Sequence, residues 1–223
     1  MALTAKKIRG GVLTREQFLL AEMRIVCRLR LEGADDQSII ERVKRENLFQ
    51  YPTERMLANR AGVCLRRLDA VKLDAAECAE RGVDQASADQ AATRIAELIA
   101  HGMPDQAAQA NLYTMICRYD LVRELIMVEV GERMASFDYA YTDVDLNAFM
   151  TRFQVEHADA QTWSDATVYR IKGTLRQILR DSGLIQTRRL STLVPLYVDP
   201  EVESALQALG DAGVVAALTG QVM

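Results

Sequence analysis

Proline is scarce here, four in 223 residues, and histidine and tryptophan are scarcer still, with two and one. So few prolines leave long stretches able to run as helix, because proline is the residue that most strongly breaks one. Four cysteines (Cys27, Cys64, Cys78 and Cys117) are scattered, form no CxxC pair and lie far in sequence from His101 and His157. Zinc sites and disulfide frameworks need clustered ligands, so these cysteines read as buried, reduced thiols. No apolar run approaches the roughly 20 residues that span a bilayer. The longest candidate, around residues 121–130, is broken by Arg123, Glu124 and Glu129. The first residues lack the apolar central region of a secretory signal, and a soluble, cytoplasmic protein with no membrane partner is expected.

Motifs that carry chemistry are missing as well. There is no phosphate-binding glycine loop, no HExxH and no nucleophile elbow. DVDLNA at 143–148 begins like a calcium loop, but Ala148 takes the glycine position and Gln154 the position of the bidentate acid. Asp143 and Asp145 then read as acids in the first turn of a helix, where the macrodipole favours negative charge. The expectation is no catalytic residue, no metal site, no cofactor and no enzymatic activity.

What remains is helical punctuation. Thr14 with Gln17 has the spacing of a capping box before a helix over about 15–32. Helices are expected after Asp35 or Asp36, over 54–70, up to Gly82, from the DQASADQ stretch to Gly102, over 104–117 and 119–136, over 143–156, and from Ser164. GVDQASADQ at 82–90 reads as a linker, which suggests an N-terminal helical domain over 1–83 and a C-terminal one over 84–223. After Gly183, LIQTRR and STLVPLYV are short β-leaning runs that suggest a small hairpin.

Charge is segregated. Residues 1–83 carry 16 Lys and Arg against 12 acids, 84–162 carry 5 against 13, 163–192 carry 6 against 2, and the remainder carries 0 against 4. Two basic islands flank an acidic middle, and a local basic face suffices to meet phosphates. In WSDATVYRIKGTLRQILRDSGLI (163–185), Val168, Ile171, Leu175, Ile178 and Leu179 fall on one face at 3.6-residue spacing. Tyr169, Lys172, Arg176 and Arg180 fall on a separate line. Helix (143–156), turn, basic helix and then a hairpin with Arg188 and Arg189 at its bend is the order of a winged helix-turn-helix over 143–198. The competing reading is a solvated amphipathic helix. The N-terminal island offers Arg60, Arg66 and Arg67 on the 54–70 helix, which also bears Arg55. Arg28, Arg30, Lys44 and Arg45 extend the same theme.

Three blocks, ENLFQYPTERMLANRAGVCLRRL, WSDATVYRIKGTLRQILRDSGLI and LVPLYVDPEV, resemble the BrxA family of bacterial BREX phage-defence proteins in order and spacing. The resemblance covers roughly Thr14 to Val202. It implies an all-α protein, a helical bundle with a NusB-like part, that binds DNA without catalysis inside a multi-protein defence apparatus. Double-stranded DNA is the expected partner, beside other proteins of the system. RNA stays open through the NusB likeness, although only Tyr169 stands beside the basic line and RNA sites favour stacking aromatics. A protein scaffold, using the acidic middle and the tail VVAALTGQVM, is the other alternative.

Overall fold

A computed structural model provides the fold and describes residues 9–187 and 190–220. A 3-10 turn at Gly11–Thr14 leads to α1 (Leu20–Leu31), α2 (Asp36–Glu46), α3 (Glu54–Val71), α4 (Ala75–Arg81), α5 (Gln85–His101) and α6 (Pro104–Arg118). The chain continues through α7 (Asp120–Glu124), a π-helical turn (Leu125–Val130), α8 (Gly131–Ala135), α9 (Asp143–Glu156), α10 (Ala158–Gln161), α11 (Asp165–Asp181), α12 (Pro200–Ala208) and α13 (Ala212–Thr219).

Six of the helix starts are written in short polar side chains. Asp35, Thr53, Asp84 and Ser164 each accept a hydrogen bond from the backbone N–H three residues on, satisfying a donor that the helix itself leaves unpaired. Asp74 with Glu77 and Thr142 with Asp145 form reciprocal capping boxes. The Thr142 hydroxyl and backbone N–H, with Arg133 beside them, hold the Asp145 carboxyl below its ordinary pKa.

The helices gather into two compact units. One comprises residues 19–114 and 200–210. Here α1 packs on α5 and α3, α2 packs on α3, and α12 docks on α5. Met23, Val26, Cys27, Ile39, Val43, Leu57, Cys64, Ile95 and Ile99 are buried between them. All four cysteines are buried as thiols, and loss of solvent pushes the Cys27 thiol far above its usual pKa. Gly210 closes α12 with φ of 69°, and a Cβ there would stand 2.9 Å from the Cβ of Arg81.

The other unit comprises the described residues up to Phe18, Met115–Asp199 and those from Asp211 onward. The π turn and α8 pack on α13, and at Gly131 an added Cβ would meet that of Ala217 at 3.1 Å. α11 is pinned at both its entry and its middle. The Trp163 indole lies over Gly11 and stacks on Phe153 at 5.9 Å, while Thr174 Oγ1 donates to the Leu13 carbonyl at 2.9 Å.

Several expectations need correction. α1 begins at Leu20, five residues late, because Leu19 takes a left-handed conformation (φ 51°) and Thr14 belongs to the preceding 3-10 turn. The 82–90 stretch is no linker: a Gly82 turn leads straight into α5, capped by Asp84. One compact unit runs from residue 19 to 114, and in it α5 supplies the surface against which α1 is buried. Among the described residues no strand forms, so the winged-helix hairpin is not built. The extended segment after α11 satisfies its backbone in three separate places: Tyr141 donates to the Ser191 carbonyl and Leu193 to Tyr139, Val194 donates to Leu184, and Leu196 to Leu218. Only an isolated antiparallel bridge, Ala140 with Thr192, marks the place. Of these bonds only that from Val194 to Leu184 joins the two β-leaning runs; the others go to different segments of the chain.

Candidate nucleic-acid interface

The basic line on α11 is present and faces outward. Ile171, Leu175, Ile178 and Leu179 are fully buried on the opposite side, and Tyr169 at the head of the line is 72% exposed. Its cations are already engaged. Lys172 Nζ donates to Asn147 Oδ1 at 2.7 Å, and Arg176 reaches Asp143 Oδ1 through two nitrogens at 2.8 Å. Arg180 pairs with its neighbour Asp181 at 3.0 Å. Asp143 and Asn147 stand one turn apart on α9, so two rungs tie α9 to α11. Each rung is worth little: exposed pairs contribute about 0–1 kcal/mol, and a phosphate offers Arg176 the same geometry as a carboxylate. Exchange of Asp143 for an anionic backbone therefore costs little.

Arg188 and Arg189, expected at the hairpin bend, lie outside the described residues. On α3 the three expected cations part company. Arg67 is 0% exposed and is a core group, not a surface one. Arg60 is half-buried, near enough to Tyr51 to oppose the rise of its phenol, which burial and a hydrogen bond to Glu22 push up to about 12. Arg66 is exposed. The helix turns about 100° per residue, so Arg66 lies on a different face from Arg60 and Arg67, which stand about 20° apart. Residues that do share one with Arg66 are Arg55, Asn59 and Gly62, at intervals of four, three and four. Counting charge misses this set, which only rotation about the helix axis reveals.

Other polar groupings are internally compensated. An open groove of about 650 Å³ between α5 and α12 is lined by Ser87, Arg94, Glu97, Glu201 and Ser204, and Arg94 bonds both Glu97 and Glu201. Among the described residues, Glu124, Glu156 and His157 bring metal-ligating atoms within 4.8 Å of one another. The His157–Glu124 hydrogen bond, 2.7 Å long, accounts for the approach of two of them, and the imidazole rests on Phe153 at 4.2 Å. No helix of the described residues is long and apolar enough to cross a membrane.

Fold and surface together define an all-helical protein with basic helix faces set in an otherwise acidic chain. It belongs to the BrxA family, whose pattern matches residues 11–210. The BREX protein BrxA of Escherichia coli O9:H4 (strain HS) is 21% identical over 200 residues, covering 90% of this chain and 84% of that one. The BREX protein BrxA of Bacillus cereus (strain H3081.97) is 23% identical over 218 residues, covering 97% and 98%. An uncharacterized protein from Magnetospirillum magneticum, known from a crystal structure, shares the fold: the TM-score is 0.75 at 16% identity, covering 96% of this chain and 99% of that one.

Proposed function

We propose that this protein is a non-catalytic, duplex-DNA-binding accessory component of a bacterial BREX phage-defence system, working beside other proteins of that system. The observation that carries the reading is the line of exposed Tyr169 and Arg180 with half-buried Lys172 and Arg176, on a helix whose other side is core. Three cations over about two turns match a phosphate backbone, and Tyr169 adds a hydroxyl or a stacking face at the end of the row. Arg188 and Arg189 follow in sequence and extend the same basic island, and Arg60 and Arg66 supply cations from the N-terminal one. The NusB-like part implied by the family resemblance makes RNA the competitor to exclude.

The test is fluorescence anisotropy of a labelled duplex, beside RNA of matched length, over about 50 to 200 mM salt. The wild type is expected to prefer the duplex. The triple variant K172Q/R176Q/R180Q is expected to weaken binding to every duplex, and to flatten the log–log salt slope by about 0.9 per lost phosphate contact. Glutamine avoids setting a new acid against Asp143. An unchanged slope in the folded variant removes α11 from the account.

A further inference from the structure

α9 has two apolar sides. Leu146, Phe149, Met150 and Phe153 are buried, where the helix packs on α10 and α11. Val144, Ala148, Thr151 and Val155 are exposed, the two valines at 75% and 70%. At about 100° per residue these four fall within an arc of about 60°, opposite the buried side. The Thr151 hydroxyl donates to the Asn147 carbonyl at 3.0 Å, so its one donor is already satisfied within the helix.

A single exposed valine is ordinary on a protein surface. Four uncharged residues in a row on the side of a helix that should face water are not. Their spacing of four, three and four is that of a seam along which two helices pack side by side. Val144 and Val155 close the ends of the row, and the small side chains of Ala148 and Thr151 at its centre let a second helix axis come close.

The flanks of the row say which helix fits. Asp145 and Arg152 stand on one side of it, Asn147 and Gln154 on the other. Turn a second copy of α9 antiparallel about a two-fold axis between Ala148 and Thr151, and each flank meets its own complement. Val144 then lies against Val155 of the second copy, Asp145 against Arg152, and Asn147 against Gln154. A parallel pair sets Arg152 against Asn147 and gives Asp145 no cation from the second copy. The two charges are already held in position, Asp145 by Arg133 at 2.8 Å and Arg152 by Glu129.

We infer that α9 is a self-association face, along which two copies of this chain pack antiparallel through Val144, Ala148, Thr151 and Val155. The inference does not depend on DNA binding. Four side chains from each copy bury roughly half of the 1,200 Å² or so that a lasting complex buries, so the dimer is weak and exchanges readily.

Sedimentation velocity of the full chain is the first measurement. Wild type is expected to run as a monomer at about 1 µM and to shift toward a dimer by about 200 µM. Ala148→Arg and Val155→Glu each set a charge in the seam, and each is expected to stay monomeric throughout with its melting temperature unchanged. Pairing of new thiols then reads the orientation, because the native cysteines are all buried. Under mild oxidation a mixture of Val144→Cys and Val155→Cys is expected to cross-link, and neither variant alone. Like positions lie about 16 Å apart in the antiparallel pair, beyond the roughly 7 Å that a disulfide spans between Cα atoms. Wild type that stays monomeric at every concentration overturns the inference, whatever else α9 binds. So does a dimer that survives in folded Ala148→Arg and Val155→Glu. Cross-linking within Val144→Cys alone would overturn the antiparallel arrangement.

Discussion

Arg66 and Arg67 are neighbours in the chain and opposites in environment. One step of about 100° around α3 carries the first guanidinium into solvent and the second into the core. Summed charge sees two equal cations there; rotation and burial separate them. Arg67 is among the largest fully buried side chains of the protein, so truncating it leaves both a void and unpaired neighbours. Arg67→Ala is expected to destabilise by about 3 kcal/mol, read from urea midpoints, without changing duplex affinity in the fraction that folds. A fully stable Arg67→Ala variant that loses DNA would return Arg67 to the surface and overturn the placement. The α11 cations teach a related lesson. Their shared face could be derived from spacing alone, whereas their partners Asp143 and Asn147 come from another helix, 25 to 33 residues away.

At the scale of elements, helix boundaries followed local chemistry closely wherever a cap was present. α9, α3 and α11 begin where Thr142, Thr53 and Ser164 cap them, because that preference is settled within four residues. The capping box of α9 also fixes a pH response. Hydrogen bonds hold Asp145 below its ordinary pKa when folded, so its contribution is present above about pH 4 and is lost as the pH falls through the lower, folded value. Urea midpoints measured downward from neutral pH are expected to show a shallower acid decline for Asp145→Asn than for wild type. Parallel declines would mean that other carboxylates carry the whole response. The segment after α11 failed for the opposite reason. A hairpin depends on the pairing of two runs, and here Val194 alone bonds across to the other run, at Leu184, while Ser191, Leu193 and Leu196 pair with Tyr141, Tyr139 and Leu218 from other places in the chain.

For the molecule as a whole, the division into units ignores the shift in composition near residue 83. α1 buries its apolar face against α5, and α12 returns from near the C-terminus to cover α5. A fragment of residues 1–83 lacks both helices and is expected to melt broadly by circular dichroism, where the full chain melts cooperatively. A sharp transition in the fragment would show a self-sufficient N-terminal domain. Sequence by itself determined the helical class, most helix limits, the buried stripe and cationic line of α11 and the family pattern, since periodicity, capping and motif spacing are properties of contiguous residues. Tertiary structure alone decided that Arg67 is interior, that Arg176 is held by Asp143, that 190–199 forms no hairpin and that distant segments complete each core. Those outcomes depend on which surfaces meet, and the free energy of burial is set by the neighbour that arrives, not by the residue that waits for it.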